Sequence, residues 1–153
     1  MDDLKGKFCI PVWKPHRITG EYGEKRTLPD GKKDVHKGID FVSKTGCQDV
    51  FAVYDGKVIL DQDDYDHKKR WSKGHTGGNM LILEHRMNGE IFYTRYLHLS
   101  SNIKSKGDIV YKGSMIGTYA DVGYSFGAHL HFDCWNYQWK RIDPTSFFKG
   151  LYK

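Results

Sequence analysis

The chain has 153 residues, 39% of them hydrophobic, which suffices for one compact domain whose core needs no covalent staples. Its formal net charge of +5 suits polyanionic surroundings, yet no basic run is interleaved with aromatics as a nucleic-acid platform requires. No apolar run reaches membrane-spanning length, and Cys9, Cys47 and Cys134 stand too far apart for a disulfide framework or a cysteine zinc site.

The 17 glycines, 4 prolines and 14% aromatic content favour short strands joined by tight turns, and no stretch reads as a long amphipathic helix. The expected fold is therefore all-β. Residues 1–35 are polar and turn-rich, with a turn at Pro29-Asp30-Gly31-Lys32. His36 to Val42 reads as extended chain. Val50 to Tyr54 reads as a strand, Asp55-Gly56 as a hairpin turn, and Lys57 to Leu60 as the returning strand.

Residues 61–78 are charged and lack apolar periodicity, which predicts a long surface loop that includes His67-Lys68-Lys69-Arg70-Trp71. Met80 to Glu84 and Ile91 to Leu97 flank Asn88-Gly89, the clearest hairpin signal in the chain. Lys106-Gly107-Asp108 and Lys112-Gly113 mark further turns. Gly127 to Trp135 is the last strong strand, and Asp143-Pro144-Thr145-Ser146 can open a short helical turn. Asp49-Val50 before Asp55-Gly56-Lys57 faintly echoes Asp108-Ile109 before Lys112-Gly113-Ser114, too weakly to define a repeat.

Three short segments carry the chemistry. On a strand, side chains alternate faces, so His129, His131 and Asp133 share one face while Leu130, Phe132 and Cys134 share the other. In His36-Lys37-Gly38-Ile39-Asp40, a spacing of four puts His36 and Asp40 on one face of extended chain. In Tyr96-Leu97-His98-Leu99, alternation puts Tyr96 and His98 together. Two neutral imidazoles and one carboxylate form a ligand set common in catalytic zinc sites, with a coordination position left open. Taken singly, each segment also fits a bland reading: exposed strand histidines, a surface ion pair, a structural histidine.

Taken in order, HKGID, YLHL and GAHLHFD resemble the motifs of the lysostaphin/LytM-type peptidoglycan endopeptidases. The similarity extends through Arg17 to Gly23, Val50 to Val58, Gly78 to His85 and Gly113 to Gly117, so it covers roughly residues 16–148 of a single domain spanning 1–153. It implies an antiparallel β-sheet of barrel-sandwich hybrid type with a loop-walled groove. It implies one zinc ion on His36, Asp40 and His131, with His98 and His129 as catalytic histidines that handle the proton of the attacking water. Tyr96, Asn79 and Asp133 are candidates for substrate contact, and Asp133, standing where relatives usually carry Glu, is also placed to support a ligating histidine. His16, His67, His75 and His85 match no ligand position and are expected at the surface.

The substrate implied is the peptide part of bacterial peptidoglycan, cut by a monomer outside the cytoplasm, with no nucleic acid and no membrane insertion. The dispersed cysteines point to folding in a reducing compartment. Met1 to Gly6 lacks the apolar core of a signal peptide, so delivery by a phage lysis system or on a virion is the expectation, a bacterial protein cut to its catalytic domain being the alternative. A catalytically silent relative that binds wall and activates other hydrolases is the rival reading. It typically lacks a ligand or a catalytic histidine, and all five are present here. Departures at residues 45–50, 61–78 and 121–126 fall on expected groove walls, which leaves the bond that is cut unassigned.

Overall fold

Along residues 79–87, buried side chains alternate with half-buried or exposed ones, and the period of two fixes a sheet with one face on the core. The computed structural model describes residues 2–63, 78–121 and 127–152. Its strands are β1 (His16–Gly20), β2 (Lys25–Thr27), β3 (Lys33–Val35), β4 (Ile39–Ser43), β5 (Asp49–Phe51) and β6 (Gly56–Gln62). The remaining ones are β7 (Asn79–Met87), β8 (Glu90–Asn102), β9 (Ile109–Val110), β10 (Met115–Tyr119), β11 (Leu130–Asn136) and β12 (Arg141–Ile142). Two 3-10 turns, Asp2–Leu4 and Thr145–Phe147, are the helical segments among the described residues. None of them is long and apolar enough to cross a membrane.

Ten strands form one antiparallel sheet whose main path runs β1-β4-β11-β8-β7-β6-β9, while β2 and β3 make a separate ribbon. The Asn88-Gly89 hairpin joins β7 to β8 as expected, with φ of 51° and 81°, the left-handed pair that a type I′ turn needs. The turn at Pro29 to Lys32 joins β2 to β3, and Pro144 precedes the final 3-10 turn.

The expected hairpin at Asp55-Gly56 does not form. β5 pairs with β10, and β6 pairs with β7 and β9, so Asp55-Gly56 is a corner between strands that do not bond to each other. The faint echo has its counterpart here: β5 and β6 lie either side of one turn, β9 and β10 either side of another, and each strand pairs across with the other set. The loop expected over residues 61–78 falls for the most part outside the described residues. Its first residues extend β6 to Gln62, and its last glycine leads into β7.

The core lies under the sheet face that carries Leu81, Leu83, Phe92, Leu130, Phe132 and Cys134. The N-terminal segment is less polar in its packing than in its composition. Leu4, Phe8, Ile10 and Val12 are buried, and Phe8 bridges to Phe148 and stacks among Phe92, Phe132 and Phe147. Each such phenylalanine contributes about 1.5–3 kcal/mol by burial.

Candidate metal centre and cleft

β4 and β11 run antiparallel with Asp40 directly opposite His131. On β4, Ile39 and Phe41 enter the core, which turns Asp40 to the other face; on β11, Leu130, Phe132 and Cys134 do the same for His131 and Asp133. His36 precedes β4, His129 precedes β11, and His98 comes from the adjacent β8. The pleat of two neighbouring strands thus brings together residues that are 91 apart in the chain.

The atoms of His36, Asp40 and His131 that can ligate an ion lie within 4.8 Å of one another. Asp40 Oδ1 is 3.2 Å from His36 Nε2 and 3.0 Å from His131 Nδ1. The opposite ring nitrogens have partners elsewhere. His36 Nδ1 lies 2.9 Å from the Glu21 carbonyl, and His131 Nε2 lies 2.9 Å from Asp133 Oδ2. Each of these acceptors claims an N–H, which leaves His36 Nε2 and His131 Nδ1 as the lone-pair nitrogens aimed at Asp40. Two such nitrogens and a carboxylate oxygen at this spacing fit a divalent metal.

Electrostatics agrees with the geometry. Burial opposes ionisation of Asp40, but protons on the facing His131 and His36 nitrogens, which an ion would displace, donate to its carboxylate and hold it well below the usual range. Burial lowers the pKa of His131, and its bonds to Asp133 and Asp40 more than offset that, leaving it above the ordinary value. Asp133 is fully buried. Its carboxylate accepts from His131, from Arg95 through Nε and Nη2 at 3.0 and 2.7 Å, and from the Trp135 indole at 2.6 Å. Despite burial, the bonds and charges of His131 and Arg95 keep it well below the ordinary carboxylate range.

Gly38 explains itself by what surrounds it. A Cβ there would lie 2.5 Å from the Phe132 carbonyl oxygen and 2.6 Å from His131 Cε1. The absence of a side chain lets the backbone pass against the Cε1–Nε2 edge of the His131 imidazole.

His98 and His129 complete the cluster, with ring centroids 4.7 Å apart. His129 Nδ1 lies 2.9 Å from the Gly127 carbonyl, so its Nε2 turns toward the ligands, 3.8 Å from Asp40 Oδ1. His98 has φ of 64° and sits at a bulge: between the pairs Leu81–Tyr96 and Asn79–Leu99, β8 uses one residue more than β7. A left-handed non-glycine residue costs about 1–2 kcal/mol, and the bulge re-aims the side chain. Asp40, His98, His129 and His131 border a cleft of about 700 Å³, whose far wall includes Thr27, Leu28 and Pro29.

The bulge also corrects the expected face of Tyr96. Phe92, Thr94 and Tyr96 are all buried on the core side, and the Tyr96 hydroxyl accepts from the Val53 N–H at 3.1 Å. Tyr96 is a core residue and does not line the cleft. Asn79 is likewise buried, its amide directed at the Ser100 carbonyl, and it does not line the cleft. Asp133 is enclosed behind His131, whose Nε2 it holds, and it does not line the cleft either. His16 and His85 are buried, not superficial: His16 Nε2 bonds the Leu151 carbonyl at 2.7 Å, and His85 spans the Asp55 carbonyl and Thr94 Oγ1. His67 and His75 lie outside the described residues.

Arg26, Arg95 and the Glu21 carbonyl were missed by the sequence reading. Arg95 stands directly opposite Asp133 across β8 and β11, a pairing that becomes visible only with the register. Arg26 gives no signal in the sequence at all.

Known proteins share much of this sequence and fold. The profile of peptidase family M23 matches residues 34–144. Peptidoglycan DD-endopeptidase ShyB of Vibrio cholerae is 35% identical over 125 residues, covering 80% of this chain and 26% of the relative. The chain thus spans about a quarter of that protein's length. A zinc-containing peptidase from Vibrio cholerae superposes with a TM-score of 0.68 at 30% identity, over 91% of this chain and 38% of the other. The catalytic domain of lysostaphin from Staphylococcus simulans superposes with a TM-score of 0.67 at 28% identity, over 86% of this chain and 91% of the other. With the profile spanning most of the described sheet, including all five histidine and aspartate positions of the cleft, the chain belongs to peptidase family M23.

Proposed function

We propose that the protein is a zinc-dependent endopeptidase that hydrolyses peptide bonds in bacterial peptidoglycan, and that it works where that polymer is, outside the cytoplasm. The observation that carries this reading is the convergence of His36, Asp40 and His131 on one point, with His98 and His129 in the same cleft. The relatives named for peptidoglycan and zinc support the substrate class and the metal.

His36 Nε2, Asp40 Oδ1 and His131 Nδ1 would hold the ion. When bound, zinc supplies Lewis acidity, which acidifies water and polarises a carbonyl. The rest is done by the chain. Asp133 and the Glu21 carbonyl fix the tautomers and planes of the two ligating imidazoles. His129, with Nδ1–H committed to Gly127, presents Nε2 to the cleft, placed to take the proton of the attacking water. His98, held beside it by the bulge, is placed to stabilise developing oxyanion charge or to deliver a proton to the leaving amine. Three protein ligands leave a coordination position for water.

The test is mass spectrometry of fragments released from purified peptidoglycan of several chemotypes, with and without a zinc chelator. Chelator-sensitive appearance of new internal amine termini is the expected result, and the fragments identify the bond. A folded, zinc-loaded protein that releases nothing from any wall would overturn the enzymatic reading in favour of a binding or activating role.

A further inference from the structure

The two oxygens of Asp40 have different partners. Oδ1 faces the histidine ligands, while Oδ2 accepts a hydrogen bond from Arg26 Nη2 at 3.0 Å. Arg26 belongs to β2, part of the ribbon that shares no ladder with the main sheet. Thr27, Leu28 and Pro29, which follow it directly, wall the cleft. One guanidinium therefore connects a metal ligand on the rigid sheet to the wall facing the substrate.

The contact is built on both sides. Arg26 Nε donates to Glu24 Oε2 at 2.8 Å, which orients the planar fork. Gly20 stands opposite Asp40 across β1 and β4, and a Cβ there would lie 2.3 Å from Arg26 Nη2 and 2.6 Å from Asp40 Oδ2. The strand beside the ligand is thus free of a side chain where the guanidinium passes. The Arg26 side chain is 37% exposed, so as an isolated ion pair it would contribute little to stability. What it does control is direction: with Oδ2 engaged, Asp40 offers Oδ1 alone to the ligand cluster.

We propose that Arg26 is a positioning residue that holds Asp40 as a one-oxygen ligand and couples metal binding to the order of the β2–β3 wall. This rests on reading His36, Asp40 and His131 as a metal site. Metal on Oδ1 stiffens Asp40, Asp40 stiffens Arg26 through Oδ2, and Arg26 stiffens the ribbon that Thr27 to Pro29 extend into the cleft. By linkage, a disordered ribbon weakens the metal by the same factor.

The experiment measures zinc affinity by competition with a fluorescent chelator, and amide hydrogen exchange of residues 25–35 with and without zinc. Wild type, Arg26→Ala and Arg26→Lys are compared, and thermal unfolding of the metal-free proteins checks the fold. Wild-type zinc binding tests the metal-site reading by itself, and the variants test the coupling. Expected are zinc-dependent slowing of exchange in wild type, and zinc affinity about 10–100-fold weaker in Arg26→Ala, with no slowing even at saturating zinc. Arg26→Lys, a point charge without the fork, falls between, and it carries the test if the alanine variant does not fold. Unchanged or tighter zinc binding in the variants, or undiminished slowing of the ribbon, would overturn the proposal. Neither readout requires that peptidoglycan be cut.

Discussion

His131 is held at both ring nitrogens by carboxylates of opposite duty: Asp40 across the strand pair at Nδ1, and Asp133 two residues along its own strand at Nε2. On the proposed reading the first would share a metal with it, while the second sets its tautomer. Asp133 in turn is neutralised by Arg95 from β8. Replacing the charge while keeping the shape should separate these effects. Asp133→Asn is expected to weaken zinc binding by about 10–100-fold. It should also lower stability by roughly 2 kcal/mol, less than the full cost of breaking a buried pair because Arg95 retains contact with water. Isothermal titration and urea unfolding at neutral pH measure the two. The stability part is present above the ordinary carboxylate pKa and fades as pH falls through the depressed folded value, so wild type and variant should converge in strong acid.

Gly38→Ala probes the packing of the backbone against the ligand. The added methyl would meet the Phe132 carbonyl oxygen, which cannot swing away, and the His131 ring. A loss of about 1–3 kcal/mol in unfolding free energy is expected. Weaker zinc binding should accompany it, because the easiest relief is a rotation of the imidazole. Stability loss with wild-type zinc affinity would show that the strain goes into the backbone.

His98→Ala and His129→Ala should leave zinc affinity unchanged and lower the turnover of a wall-derived peptide by about 10²–10⁴-fold each. The comparison is decisive because neither residue is among the three whose ligand atoms converge. If either substitution abolishes metal binding, that residue belongs to the ligand set.

His85 offers a test remote from the cleft. It is buried against Phe92 and is hydrogen-bonded at both nitrogens, and burial pushes its pKa down to about 4. The folded protein keeps it neutral while the unfolded chain binds a proton near pH 6.5, so stability is lost as pH falls from about 6.5 towards 4. That loss approaches about 3 kcal/mol at the lower end. In metal-free protein, His85→Gln should flatten the pH dependence of urea unfolding in this window. An identical slope in the two proteins would refute the assignment.

Much of this was legible in the chain. Alternation in Leu130 to Cys134 put His131 and Asp133 on the correct face, because β11 is regular from end to end. The same rule applied to Leu81, Leu83 and His85 places His85 with the core, and it was there to be read. Alternation failed at Tyr96 and His98, where the bulge on β8 inserts a residue and shifts the parity. Nothing in Tyr96-Leu97-His98-Leu99 announces a bulge, since its residue at positive φ is a histidine and not a glycine. Asp55-Gly56 carries the composition of a hairpin turn, but β5 pairs with the distant β10 and β6 with β9 and β7, so tertiary pairing overrides the local signal. Arg26 was invisible because its importance lies in which oxygen of Asp40 it reaches.

The bridge between Phe8 and Phe148 has a consequence for how the protein is born. Both rings sit in the same aromatic cluster, yet they enter it from the first and the last turns of the described chain. During synthesis the nascent sheet can assemble its hairpins, but Phe8 lacks its partner until residue 148 has left the ribosome. The core cannot close before that segment emerges, so its apolar face stays open to chaperones and to aggregation while the residues between Phe8 and Phe148 are being made.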